Sequence, residues 1–144
     1  MGEGQDLKST LRSVFDSQIP NYGDYNLVFG ASPRGILPVG GPVRGESYVL
    51  GYRWSPAELM IAPVDLVTLS SASVPVEVNM TNLSHAHRLG GAHYEVGTNT
   101  GRVFQFGVEA APVLHLRGGQ ETTLDQVEDH LDFEAFMKAF VAMA

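Results

Sequence analysis

The sequence predicts a mainly β (α+β) fold: a small antiparallel barrel or sandwich with an N-terminal helix and a C-terminal capping helix. Three observations predict it. The stretch from Tyr94 to Val108 alternates apolar and polar residues on both sides of an Asn99-Thr100-Gly101 break, which is the pattern of a β-hairpin. The interior of the chain is cut into short β-rich runs, most of them roughly 8–12 residues apart, by Gly- and Pro-containing breaks. Apolar residues at helical spacing occur only at the two ends of the chain, so alternating β-α units are excluded.

At the N-terminus, Leu7, Leu11, Val14 and Phe15 lie on one stripe and predict a helix over 6–19, ended by Pro20. The β-rich region, 25–117, follows. Its expected strands are Tyr25–Phe29, Gly35–Val39, Ser47–Trp54, Glu58–Val64, Leu66–Ser70, Val74–Met80, His93–Thr98, Arg102–Val108 and Val113–Leu116. In the hairpin, Tyr94 and Val96 share the buried face with Phe104, Phe106 and Val108, because successive strand side chains point to opposite sides. Gly101 is expected at positive φ in a three-residue loop. The last segment, 121–142, is helical. Thr123 and Gln126 fit a capping box, and Leu124, Val127 and Leu131 form one stripe. Phe133, Phe136, Met137, Phe140 and Val141 form a second, shifted stripe, which predicts a bend or a second start near Leu131-Asp132. There is no internal repeat and no convincing linker, so residues 1–144 are read as a single domain.

Composition excludes several classes. The chain of 144 residues has no cysteine, which rules out disulfides and thiolate metal sites. Its formal charge of −7 argues against nucleic acid and against general adhesion to anionic membranes. The acidic start Met1-Gly2-Glu3-Gly4-Gln5-Asp6 has neither a signal-peptide pattern nor the hydroxyl residue expected for myristoylation. No segment approaches the roughly 20 apolar residues of a membrane span. A soluble, cytoplasmic protein without integral membrane association is the expectation. The carboxylates Glu121, Asp125, Glu128, Asp129, Asp132 and Glu134 make the C-terminal segment acidic, while six arginines are spread singly through the middle.

Taken in order, Glu46 to Trp54, Leu59 to Pro63, Pro75 to Val78, the Tyr94 to Phe106 hairpin and the final amphipathic helix resemble a bacterial pleckstrin-homology-like (PH-like) or GRAM-like domain over residues 43–142. The resemblance implies two near-orthogonal antiparallel sheets, an open end plugged by the last helix, and a ligand or partner surface on connecting loops. Phosphoinositide-binding members carry several Lys and Arg around the first hairpin. Here only Arg34 and Arg44 stand in that region, which argues against lipid headgroup binding.

Candidate chemistry is sparse. His85-Ala86-His87 with His93 is the one group with the composition of a metal site, since alternate strand positions present two imidazoles on one side. Its polar, Gly-containing surroundings, Ser84 to His93, predict an exposed loop or hairpin end with solvated histidines and no structural metal. His115 is expected to face away from the core, and His130 to lie on the solvated face of the helix. There is no nucleophile elbow and no phosphate loop, and alternation places Glu58, Asp65 and Glu77 in water. The leading expectation is therefore a non-enzymatic binding or scaffolding module that uses no cofactor and recognises a protein segment along an exposed strand edge or a barrel–helix groove. The free edge of an open barrel must be covered by the N-terminal helix, a second copy (a homodimer) or a partner. Glu128 and Asp129 would steer a basic partner segment, and Arg34 and Arg44 complete the candidate contact residues. The rival readings are a small-ligand or metal-dependent enzyme using His85, His87 and His93, with Tyr94 or Glu95, and a secretion-chaperone or immunity-type protein.

Overall fold

The apolar-rich segments Ser47–Trp54 and Ala57–Asp65 form strands buried on both faces, and the architecture is arranged around them. In the computed structural model, which describes residues 3–19, 25–32, 46–91 and 93–144, the chain begins with α1 (Glu3–Gln18), β1 (Asn26–Ala31), β2 (Ser47–Trp54) and β3 (Ala57–Asp65). It continues through β4 (Ser70–Ser71), β5 (Val76–Asn79), β6 (Leu83–Gly90), β7 (His93–Thr98) and β8 (Val103–Gly107). The last elements are β9 (Val113–His115), β10 (Glu121–Thr123) and α2 (Val127–Met143). Eight strands make one antiparallel sheet in the order β4-β3-β2-β1-β8-β7-β6, with β5 also paired to β3, while β9 and β10 form a separate hairpin. The fold is thus mainly β with a helix at each end, and its sheet is open. Among the described residues no ladder joins β6 back to β5 and β3, so the sheet does not close into a barrel, and the expected α+β fold takes its sandwich-like form.

Each face of the sheet carries its own core. On one face, Phe133, Phe136, Met137 and Phe140 of α2 pack on Tyr52, Leu59, Ile61, Tyr94, Val96 and Phe106. On the other, Leu7, Leu11 and Phe15 of α1, with Leu114 of β9 and Leu124 just after β10, pack on Phe29, Val49, Met60 and Ala62. Strands covered on both sides read as continuous apolar runs, whereas β7 and β8 serve one core only and alternate. The fully buried Phe15 ring seats α1 directly on Gly51, where a Cβ would stand 2.4 Å from Phe15 Cζ. Full burial of the four large α2 side chains contributes about 1.5–3 kcal/mol each, a sum comparable with the net stability of a domain.

The Tyr94 to Val108 hairpin forms with the expected buried face, Tyr94 opposite Phe106 and Val96 opposite Phe104, and with Gly101 at φ +88°. Several expectations are corrected. The segment 66–69 is a turn, because the Asp65 carboxylate accepts hydrogen bonds from the Val67 and Thr68 N–H groups and only Ser70–Ser71 pairs with β3. Leu83–Gly90 is a strand, not a loop. Its polar texture reflects one face in water, with Ala86 the buried residue of the other. Glu58 is buried, because a strand covered on both faces has no solvent side. Arg53 lies opposite it in register and forms an ion pair with it, and the Tyr25 hydroxyl donates to it at 3.3 Å. The C-terminal helix starts at Val127 and is one element, without a second start at Asp132. Leu131 stands about 200° around the helix from Phe133, so when the Phe133 stripe faces the sheet, Val127 and Leu131 are left exposed. Leu124 is buried, but ahead of the helix in the second core. The strand expected at Gly35–Val39, and Arg34 and Arg44, lie outside the described residues.

Gln126 is not a capping-box partner. The β1–β8 ladder has one register pair, Ala31 with Gly107, after which the strands part. Continued by two residues, that register would set Phe29 opposite Glu109. The buried Gln126 carboxamide fills this gap: Oε1 accepts from the Phe29 N–H at 2.9 Å, and Nε2 donates to the Phe29 carbonyl at 2.9 Å and to the Glu109 carbonyl at 2.8 Å. Backbone bonds from Leu124 N–H to Pro112 O and from Gln126 N–H to Ala110 O extend the β9–β10 hairpin up to this point, and α2 begins one residue later.

Gln126→Met keeps the shape of the side chain and leaves the Phe29 N–H and two carbonyls without partners. With roughly 1–3 kcal/mol per stranded buried group, partly relieved by relaxation, the expected loss is about 2–4 kcal/mol in chemical denaturation. A loss below about 1 kcal/mol would show that the gap closes without the amide.

Candidate functional site

Strands β6, β7 and β8 form a wing whose inner face joins the α2 core and whose outer face has no helix over it among the described residues. Side chains alternate along each strand, so the cross-strand register decides which outer residues meet. His87 is opposite Glu95, and Glu95 is opposite Gln105; His85 is opposite Gly97, which is opposite Val103. The result is a polar row across three strands with a second imidazole beside it.

Glu95 is the centre of this row. Its Oε1 accepts from Gln105 Nε2 at 2.8 Å, and its Oε2 lies 2.9 Å from His85 Nε2. The carboxyl is held below its ordinary range chiefly by the Gln105 hydrogen bond, with further help from the His85 bond and the His85 and His87 charges, against desolvation acting in the opposite sense. The His85 and His87 rings stack at 5.2 Å between centroids, 26° from parallel. Gly97 makes the arrangement possible. A Cβ there would collide with His85 Cε1, so the imidazole packs directly on the bare backbone of β7.

The structure brings together two of the three expected histidines and replaces the third. One ligand atom from each of His85, His87 and Glu95 lies within 4.8 Å of the others. His93 is opposite Gly107 and rests its ring on that residue, two positions along β7 from Glu95, so it does not join the group. Tyr94 is buried in the core and is not part of the site. Gln105 and Gly97 escaped sequence reasoning, although the hairpin register alone places Gln105 against Glu95. His115 is exposed on β9 as expected and pairs with Glu121 at 2.9 Å. His130 is more enclosed than expected, with its side chain 19% exposed and Nε2 3.9 Å from Glu134. Glu128 and Asp129 are exposed in the first turn of α2, where Asp129 lies 3.7 Å from Lys8 of α1.

Two open clefts complete the surface. One, of about 490 Å³, runs between α1 and β1 and is lined by Lys8, Arg12, Asp16 and Asp129. The other, of about 660 Å³, is lined by Glu46, Asp65, Arg102 and His115 beside Phe29 and Leu114. No helix of the described chain is long and apolar enough to cross a membrane. Comparison of the chain with models of known families, with curated proteins and with solved structures finds no match in any of the three.

The Glu95 carboxyl should titrate below the ordinary glutamate range, and Gln105→Leu should move it upward. A folded-state pKa below the unfolded value stabilises the fold above the unfolded pKa, and that contribution is lost as pH falls through the folded value. Carbon-detected NMR titration of the Glu95 side chain reads both effects. An unchanged midpoint in Gln105→Leu would contradict the assigned cause.

Proposed function

We propose that this protein is a non-enzymatic binding module of PH-like or GRAM-like character that takes an extended protein segment along the free edge of β6. The observation that carries the reading is the position of β6. It is the last strand of the sheet order, and among the described residues only β7 pairs with it. An edge strand presents backbone donors and acceptors that an added strand satisfies, so affinity comes from the main chain and specificity from alternate side chains. Register shifts at Leu83/His85 and Arg88/Gly90 bound a regular stretch, His85 to Arg88, suited to a short partner strand. The N-terminal helix packs on the opposite face, against β2, β4 and β10, and leaves this edge open.

A meander that brings β8 beside β1, together with a terminal helix laid across β1, β2 and β6, supports the PH-like reading. The acidic first turn of α2, Glu128 and Asp129, supports a basic partner, because unlike charges raise the rate of encounter more than the final affinity. In this reading Arg34 and Arg44 are further contact residues, and the module works in the cytoplasm.

The test is selection of binding peptides from a display library, followed by hydrogen exchange of the complex. New protection at residues 84–88 is expected. Glu128→Gln with Asp129→Asn should slow association most at low salt. Protection confined to the cleft between α1 and β1, or no selected peptide at all, would contradict the edge reading.

A further inference from the structure

We propose that His85, His87 and Glu95 form a site for one divalent transition cation of the zinc class, held on the outer face of the β6–β7 ladder. The donor set is two imidazoles and one carboxylate, a combination suited to zinc, nickel or copper rather than to calcium or magnesium, which prefer oxygen ligands. The three ligand atoms already lie within 4.8 Å of one another.

The closest pair is nearly at coordination spacing. With tetrahedral metal–ligand bonds of about 2.0–2.2 Å, neighbouring ligand atoms stand roughly 3.3–3.6 Å apart. His85 Nε2 and Glu95 Oε2 are 2.9 Å apart, so opening the pair by about half an ångström seats an ion in place of the shared proton. His87, stacked beside His85 and exposed, closes the set by a rotation of its own side chain.

Two features outside the donor set hold it ready. Gln105 engages Oε1 of Glu95 at 2.8 Å and leaves Oε2 facing His85, the kind of outer hydrogen bond that orients a metal ligand. Gly97 supplies the floor on which the His85 ring lies; any side chain there would displace the ring. Three protein donors on an exposed face leave at least one coordination position open to solvent. The proposal rests on this side-chain geometry alone and does not depend on what pairs with the β6 edge.

The test uses the full chain, stripped with chelator and titrated with zinc chloride by calorimetry and two-dimensional NMR. One equivalent of zinc should bind, with the largest spectral changes at His85, His87 and Glu95. His87→Ala and Glu95→Ala should each weaken binding at least about tenfold, whereas His93→Ala and His115→Ala should leave it unchanged. His87 is exposed, so its variant folds and keeps the test decisive even if Glu95→Ala does not fold. Absence of binding at millimolar zinc would overturn the site. So would binding that survives His87→Ala, or binding that is lost in His93→Ala.

Discussion

The fold depends on how its two halves are joined, and they are joined by a glutamine. The meander β1–β2–β3 and the meander β6–β7–β8 share a single ladder pair, Ala31 with Gly107, before the strands separate. Beyond it the Gln126 carboxamide acts as a piece of backbone, donating and accepting across the gap between Phe29 and Glu109. Because α2 starts at the next residue, the same side chain sets where the helix enters and therefore where Phe133, Phe136 and Phe140 meet the sheet. A buried amide with both ends satisfied stabilises the join; with either end unmatched it would weaken the two halves and the helix together.

Coverage then decides where function can sit. Strands β1 to β3 lie between α1 and the β9–β10 hairpin on one side and α2 on the other, so they offer little but packing. Among the described residues the β6–β8 wing is covered on one face only, and its outer surface is where polar side chains meet at cross-strand spacing. Among the described residues its last strand pairs on one side only. Both candidate activities, uptake of a strand and binding of a cation, follow from this asymmetry, one from the backbone of β6 and the other from side chains standing on it.

The sequence reveals what is local. The helical stripe Leu7, Leu11, Phe15 and the Tyr94 to Val108 alternation specify α1 and the central hairpin, because their periods are complete within one element. Alternation assigns Glu58 to water because it assumes a wet face, and at Glu58 β3 has none. The sequence places the start of α2 too early, because Thr123, Leu124 and Gln126 mimic a helix beginning. Thr123 instead closes a ladder with Val113, and Gln126 bonds a residue 97 positions away. The histidine group shows the same limit. His85 and His87 were visible as a pair, but the substitution of Glu95 for His93 depends on the register of β6, a strand whose inward face offers only Ala86 between its bulges.

Native-state hydrogen exchange at the Phe29 amide tests the central claim most directly, because that N–H has the Gln126 side chain as its acceptor. If the carboxamide closes the sheet as described, the amide exchanges only through global unfolding, with the same free energy as the central amides of β2. Exchange at the rate of a frayed strand end, well below the global value, would contradict the account.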